Sequence, residues 1–240
     1  MSRIKKPVRL ADSREVVYSV ERWNLLSRLR LKAQRVMEAL AEAGLHRAVV
    51  HGSLARGDVD RRSDVDVVIP SPAASFQVEL ALEKAGFHPV DRLMVQATPR
   101  HVVKAHLYLD ELTTVTFPLV SLSRLEREFY RFGGEIGLEE LKAGKRVPGI
   151  DKRLILILPV EQGHVEAPIS GREAEAARAV GVSPEIVRER VRVLMRRDMV
   201  GRTGVYLKYR LKPEETFEEA LRKLAARDPA IRRMLQQRST

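Results

Sequence analysis

Two aspartates are the residues of this chain whose type and spacing best fit a metal-binding or catalytic site. Asp64 and Asp66 lie in a run that alternates polar and apolar residues, so a β-strand would present both carboxylates on one face. Neighbouring carboxylates repel each other unless a cation lies between them, and Mg²⁺ takes such oxygen ligands together with triphosphate oxygens. The pair therefore predicts a metal site for phosphoryl or nucleotidyl transfer.

A glycine-serine pair stands a short distance before these aspartates. Gly52 lets the backbone approach a phosphate, Ser53 adds a hydroxyl donor, and a helix starting there would offer free N–H groups. Arg56 lies within one turn and is expected to reach phosphate oxygens with two N–H groups. We expect Ser63, which directly precedes Asp64, to contact the nucleotide as well.

The combined motif resembles the signature of a known superfamily. His-Gly-Ser-Leu-Ala-Arg-Gly, followed by Ser-Asp-Val-Asp-Val-Val, is similar to the signature of the DNA polymerase β-like nucleotidyltransferases. The resemblance implies that Gly52 and Ser53 bind the triphosphate of an NTP substrate. It also implies that Asp64 and Asp66 bind Mg²⁺ or Mn²⁺ as catalytic ligands.

Active members of this superfamily usually carry a third carboxylate on a later strand. The best candidate strand here, residues 103–109, places His106 on its polar face. A neutral imidazole binds metal ions or takes a proton from an attacking hydroxyl, so His106 is a catalytic candidate, with an ordinary sheet residue as the alternative. Asp110 or Glu111 takes its place if the strand register differs.

The elements around these residues predict an α+β fold. Helical spacing of apolar residues predicts a helix from Val20 to Ala43, and period-two alternation predicts a strand over Ser63–Pro70. With further strands and helices to about residue 120, this order agrees with the nucleotidyltransferase fold that the resemblance implies, a mixed sheet with flanking helices. We place this domain at residues 1–149, followed by a linker with a strand at 150–171.

The last third predicts a winged helix-turn-helix over residues 172–240, closed by a C-terminal helix. Two helices, 172–180 and 184–198, are joined by a short turn and followed by a basic alternating segment, 205–211, expected as the wing. The chain carries a net charge of +11, which favours polyanionic partners. We expect phosphate contacts of DNA or RNA from the basic residues of this part, unless they only form a solvated face: Arg188, Arg192, Arg196, Arg202 and Lys208.

Composition limits the kinds of site and the location expected for this protein. The chain has no cysteine, which excludes disulfides and thiol nucleophiles, and no apolar stretch of bilayer-spanning length, so a soluble cytoplasmic protein is expected.

Residues 163–204 also resemble an archaeal group of predicted nucleotidyltransferases. The predicted function is transfer of an NMP from an NTP to an acceptor hydroxyl, with nucleic acid as a candidate acceptor. The alternatives are a catalytically weak or inactive DNA/RNA-binding regulator and an enzyme that nucleotidylates antibiotics or proteins.

Overall fold

The computed structural model describes residues 12–201 and 204–238. The strands are β1 (Arg14–Val17), β2 (Val49–His51), β3 (Val65–Val68), β4 (Asp91–Gln96), β5 (Lys104–Tyr108), β6 (Thr113–Pro118), β7 (Glu135–Gly137), β8 (Gly149–Ile150), β9 (Ile155–Val160), β10 (Gly163–Pro168) and β11 (Leu207–Arg210). The helices are α1 (Val20–Glu42), α2 (Ser53–Arg56), α3 (Ser75–Lys84), α4 (Arg124–Phe132), α5 (Leu138–Lys142), α6 (Glu173–Val180), α7 (Pro184–Val200), α8 (Phe217–Arg227) and α9 (Pro229–Arg238).

Contacts divide the described chain into two compact units, each built from separate segments. The first unit holds residues 12–31, 50–63 and 124–201, and the second holds 32–49, 64–123 and 204–238. These units do not coincide with the predicted segments 1–149, 150–171 and 172–240. The C-terminal third is shared between them, with α6 and α7 in the first unit and β11, α8 and α9 in the second.

The first unit contains an antiparallel sheet with the strand order β1-β10-β9-β8. Helices α4, α6 and α7 bury their apolar faces in one core with residues of β8 and β9. Ser183 caps α7 by accepting the N–H of Ile186, and Pro184 occupies the first turn, as the sequence predicts for a helix start. The buried members of this core are Phe132, Ile150, Leu154, Leu156, Ile169, Ala176, Ala177, Ile186, Val187 and Leu194.

Close backbone packing at Gly163 leads to the first prediction. β10 pairs with β1 through Val17 and Gly163, and a Cβ at Gly163 would overlap the carbonyl of Val16. We expect Gly163→Ala to weaken the unit by about 1–3 kcal/mol, because the overlap can be relieved only by moving β1. Urea unfolding and amide exchange of β1 measure the effect. Gly137→Ala is the control, since its Cβ would meet no described atom within 4 Å, and equal stability losses in both variants would contradict the prediction.

The second unit contributes β11, β4, β5, β6 and β3, in that order, to a mixed sheet. β3 runs parallel to β6, while the pairs β11–β4, β4–β5 and β5–β6 are antiparallel. One face of this sheet is apolar and buried, as the exposures of Ala105, Leu107, Val115 and Phe117 show. The alternate residues of these strands face the other side of the sheet, and most polar side chains of the strands lie there.

The winged helix-turn-helix is not confirmed. The predicted helices appear as α6 and α7, and Val187 and Leu194 of α7 are buried as expected. The predicted wing instead forms the single strand β11, which pairs antiparallel with β4. The predicted C-terminal helix is interrupted at Asp228, because Pro229 disfavours a helical residue before it. Among the described residues, no helix is long and apolar enough to cross a membrane.

Candidate active site

The Gly-Ser turn, formed by Gly52 and Ser53, connects β2 to the single-turn helix α2. Gly52 has φ 77° and ψ −142°, a backbone conformation that favours glycine. No described atom lies within 4 Å of the position that a Cβ of Gly52 would take, so this side of the turn is open. The N–H of Gly52 donates to the carbonyl of Gly134 over 2.9 Å and is therefore already used. A phosphate approaching this turn would meet the Ser53 hydroxyl and the open side of Gly52.

Ser63 lies beside this turn, as its predicted role requires. The Ser53 hydroxyl donates to Oγ of Ser63 over 3.2 Å, and the N–H of Asp60 donates to the same oxygen over 2.9 Å. These bonds tie the loop that precedes Asp64 to the Gly-Ser turn. Ser53 and Ser63, two members of the predicted nucleotide-binding set, are thus in direct contact through their hydroxyls.

Arg56 is not available to phosphates, in contrast to the sequence-based expectation. Its side chain is buried and forms a two-point ion pair with Asp58, with Nε–Oδ1 at 2.9 Å and Nη2–Oδ2 at 3.1 Å. Its Nη1 donates to the carbonyl of Gly133 over 2.5 Å. Three of its five N–H donors bond inside the protein and the side chain is buried, so Arg56 holds the Gly-Ser turn in place.

The predicted carboxylates lie at the start of β3. The strand begins at Val65, so Asp64 directly precedes it and is exposed, while Asp66 is half-buried within it. Val65 and Val67 are fully buried, which confirms the predicted alternation of apolar and polar side chains.

Asp66 belongs to the polar face of the second unit, which we define as Asp66, Thr114, Tyr108, Thr116 and His106. Asp66 lies opposite Thr114 of β6, which lies opposite Tyr108 of β5, and such laterally paired residues point to the same side of a sheet. Burial raises the pKa of the Tyr108 phenol, and the negative charge of Asp66 raises that pKa further. The Asp66 carboxylate thus acts electrostatically on this face.

His106 lies one step further along the polar face. It pairs with Thr116, which lies opposite Val68, so His106 is not aligned with Asp66. Its Nδ1 is 2.9 Å from the Thr116 hydroxyl, and burial lowers its pKa to about 4, with a smaller contribution from the charge of Lys104. The imidazole is therefore neutral at pH 7 and only weakly basic. Its catalytic role stays a prediction.

The alternatives to His106 lie in the turn after β5. The Asp110 carboxylate accepts hydrogen bonds from Nζ of Lys32 over 2.5 Å and from the N–H of Leu112 over 2.9 Å. Burial acts to raise its pKa, but these two bonds, a further hydrogen bond with Thr113 and the charge of Lys32 lower the pKa below its usual value. Glu111 is exposed. The strand next to Asp66 in this unit, β6, has the sequence TTVTFP and supplies hydroxyls but no carboxylate.

Asp64 and Asp66 fit a divalent cation that takes most of its ligands from water and substrate phosphates. Across residues 12–201 and 204–238, no group of three or more His, Asp or Glu side chains is arranged to hold a metal ion. Asp64 and Asp66 supply two carboxylates, and Mg²⁺ is commonly held by one or two carboxylates together with water and substrate phosphates. A buried all-protein cage is therefore not the kind of site that these residues form.

The predicted nucleic-acid contacts are spread over both units. Arg188, Arg192 and Arg196 are exposed and follow one face of α7, because they are four residues apart. Lys208 is exposed on β11, which belongs to the other unit. Arg202 lies outside the described residues.

Sequence reasoning missed three contributors to the Gly-Ser turn. Arg30 of α1 is buried and donates to the carbonyls of Leu54 and Ala55 in α2. Gly134 accepts the N–H of Gly52, and Gly149 packs so closely behind it that a Cβ there would lie 2.5 Å from the Gly134 nitrogen. An arginine on the apolar side of a predicted amphipathic helix was the one available signal.

Comparison with known proteins agrees with the motif. Residues 34–127 match the family model described as a nucleotidyltransferase domain. No curated protein and no solved structure matches the chain. The match and the α+β fold support the nucleotidyltransferase superfamily and nucleotidyl transfer as the general function, which implies an NTP substrate and usually a divalent metal ion.

Proposed function

We propose that this protein transfers an NMP from an NTP to an acceptor hydroxyl with the help of Mg²⁺ or Mn²⁺. The observation that carries the proposal is Asp66 on the polar face of a mixed sheet, within the segment that matches the nucleotidyltransferase domain. In this reaction the acceptor oxygen forms a bond to the α-phosphorus. The bond from that phosphorus to the bridging oxygen of the β-phosphate breaks, pyrophosphate leaves with both electrons of that bond, and the proton of the acceptor hydroxyl passes to solvent.

Four residues have roles in the proposal. Asp64 and Asp66 hold the metal ion, which supplies charge neutralisation at the phosphates when bound. Ser53 exchanges its hydrogen bond to Ser63 for one to a phosphate oxygen, and Gly52 leaves room for that phosphate because it has no side chain. Arg56 has no direct contact with the nucleotide in this proposal, since its side chain is buried and directed at Asp58 and Gly133.

His106 is kept out of the metal-binding set. The residue opposite Asp66 is Thr114, and His106 pairs one step further along with Thr116. A group with a pKa of about 4 is also a poor proton acceptor at neutral pH, because general bases work best near the working pH.

A transfer assay tests the proposal. The protein is incubated with each α-labelled NTP, Mg²⁺ or Mn²⁺, and one of several acceptors: RNA, DNA, a protein mixture or hydroxyl-bearing small molecules. We expect label on one acceptor class and release of pyrophosphate, both lost on adding EDTA. A wild-type protein that neither binds any NTP nor labels any acceptor with either metal would refute the proposal.

A second candidate is a nucleic-acid-binding regulator that retains the fold without turnover. The exposed stripe of Arg188, Arg192 and Arg196 on α7 favours it, since guanidinium groups at this spacing can follow a phosphate backbone. The absence of an acid from β6 also favours it, because a weak metal site would reduce catalysis. Nucleic-acid binding without labelled product in the assay above would select this candidate.

The arginine stripe gives a prediction of its own. Replacing Arg188, Arg192 and Arg196 with Ala should weaken binding to a DNA duplex. It should also make the negative slope of log K against log salt shallower by about 2–3, since each phosphate contact contributes about 0.9 to its magnitude. Fluorescence anisotropy between low and moderate salt measures both. The matched control removes three exposed arginines elsewhere, at Arg47, Arg100 and Arg222. An equal loss in both triple variants would show that only net charge matters.

A further inference from the structure

Two arginines of the first unit lie against α2 without a carboxylate partner. Arg30 is 8% exposed, and its Nε and Nη2 donate to the carbonyl of Leu54 over 2.9 and 2.7 Å. Its Nη2 also lies 3.2 Å from the carbonyl of Ala55. These carbonyls belong to the two residues that follow Ser53 and point towards the C-terminal end of α2, so the guanidinium of Arg30 lies about one helical turn behind the Gly-Ser turn.

Arg146 also approaches the C-terminal end of α2. Its side chain packs where Gly57 lacks a Cβ, and a Cβ there would overlap it. Its guanidinium donates to the carbonyls of Gly163 and Val160 over 2.7 and 2.6 Å and lies 4.8 Å from the ring centroid of Trp23. Like Arg30, it is satisfied by neutral carbonyl oxygens and an aromatic ring.

The charge of this pair is uncompensated within the described residues. The third arginine at α2, Arg56, is neutralised by Asp58, whereas neither Arg30 nor Arg146 forms an ion pair in residues 12–201 and 204–238. Burial, together with the nearby charge of Arg146, lowers the pKa of Arg30 to about 10, which still leaves it charged at pH 7. A buried cation without a counter-ion costs stability, so a role outside folding is worth testing.

We propose that Arg30 and Arg146, the cationic pair, supply the counter-charge for the polyphosphate of a ligand at the Gly-Ser turn. The proposal rests on the proposed function and names phosphate-charge recognition as the task of two residues that lie behind the turn. Charges separated by several ångströms in a partly buried site still attract substantially, so each cation is expected to be worth about tenfold in affinity. The arginines act on the ligand through the field and do not need to contact it.

Two substitutions at Arg30 separate charge from positioning. Arg30→Lys keeps the charge but loses the forked geometry, whereas Arg30→Gln keeps a donor for the α2 carbonyls and loses the charge. The probes are inorganic tripolyphosphate and ATP, with binding measured by calorimetry. We expect Arg30→Gln to weaken both about tenfold and Arg30→Lys to weaken them clearly less. Equal weakening by Lys and Gln, or no weakening by either, would overturn the proposal.

Further variants keep the test decisive. Arg146→Gln removes the second charge at a less buried position and should weaken binding of both probes to a similar extent. It therefore tests the proposal even if Arg30→Gln does not fold. Arg28→Gln is the matched control, because Arg28 is an exposed arginine of the same helix. Wild-type protein that binds neither probe refutes this inference and, if it also labels no acceptor, the proposed function. Wild-type protein that transfers nucleotide while the Gln variants bind ATP normally refutes the inference alone.

Discussion

Asp66→Asn is expected to reduce nucleotidyl transfer by about a thousandfold or more, because removing a metal-binding carboxylate costs several kcal/mol of transition-state stabilisation. The substitution preserves the shape of the side chain while removing its charge. Asp66 is half-buried on a strand whose neighbours Val65 and Val67 fill the core, so the fold should tolerate it. Initial rates at saturating NTP and a metal titration measure the effect.

The control for this loss is Glu83→Gln. Glu83 is an exposed carboxylate of α3 and has no place in the proposed site. We expect its transfer rate to remain within about twofold of wild type, since isolated surface charges contribute little at ordinary salt. Undiminished transfer by Asp66→Asn, in a protein whose wild type is active, would remove Asp66 from the metal site.

Asp58→Asn is expected to destabilise the first unit by about 3–5 kcal/mol, because it leaves the buried guanidinium of Arg56 without its counter-ion. Both side chains are 7% exposed, so water cannot replace the lost partner. Urea unfolding monitored by circular dichroism gives the change. The double variant Arg56→Met/Asp58→Asn should recover part of the loss, since removing the cation also removes its desolvation cost.

An exposed ion pair serves as the comparison. Glu185 of α7 pairs with Arg124 of α4, and their side chains are 54% and 65% exposed. We expect Glu185→Gln to change the free energy of unfolding by less than about 1 kcal/mol, because solvent and salt screen such pairs. If Asp58→Asn costs no more than Glu185→Gln, the Arg56–Asp58 pair does not hold the Gly-Ser turn in the way described.

Local patterns predicted much of this molecule. The helical spacing of apolar residues predicted α1 within one residue of its observed end, and period-two alternation predicted β3 and the orientation of Asp66. Both patterns depend only on residues close in sequence, where the periods of 3.6 and 2 are visible. Glycine with positive φ at Gly52 also follows from its place in the motif.

Non-local pairing explains most of what the sequence left open. β10, with the sequence GHVEAP, has few residues typical of strands and forms because β1 and β9 pair with its two sides. β11 looks like a wing strand from its alternation alone, and only its pairing with β4 shows otherwise. Arg56 looked like a phosphate ligand because its burial beside Asp58 depends on the fold around both residues.

The pairing of β11 with β4 has a practical consequence for anyone who shortens this chain. Cutting before residue 204 to isolate a catalytic module would leave the N–H and C=O groups of β4 that now bond to β11 without partners. Unprotected strand edges recruit strands from other molecules. The shortened protein should therefore self-associate, and light scattering of a product ending at residue 201 would reveal aggregates where the full chain gives none.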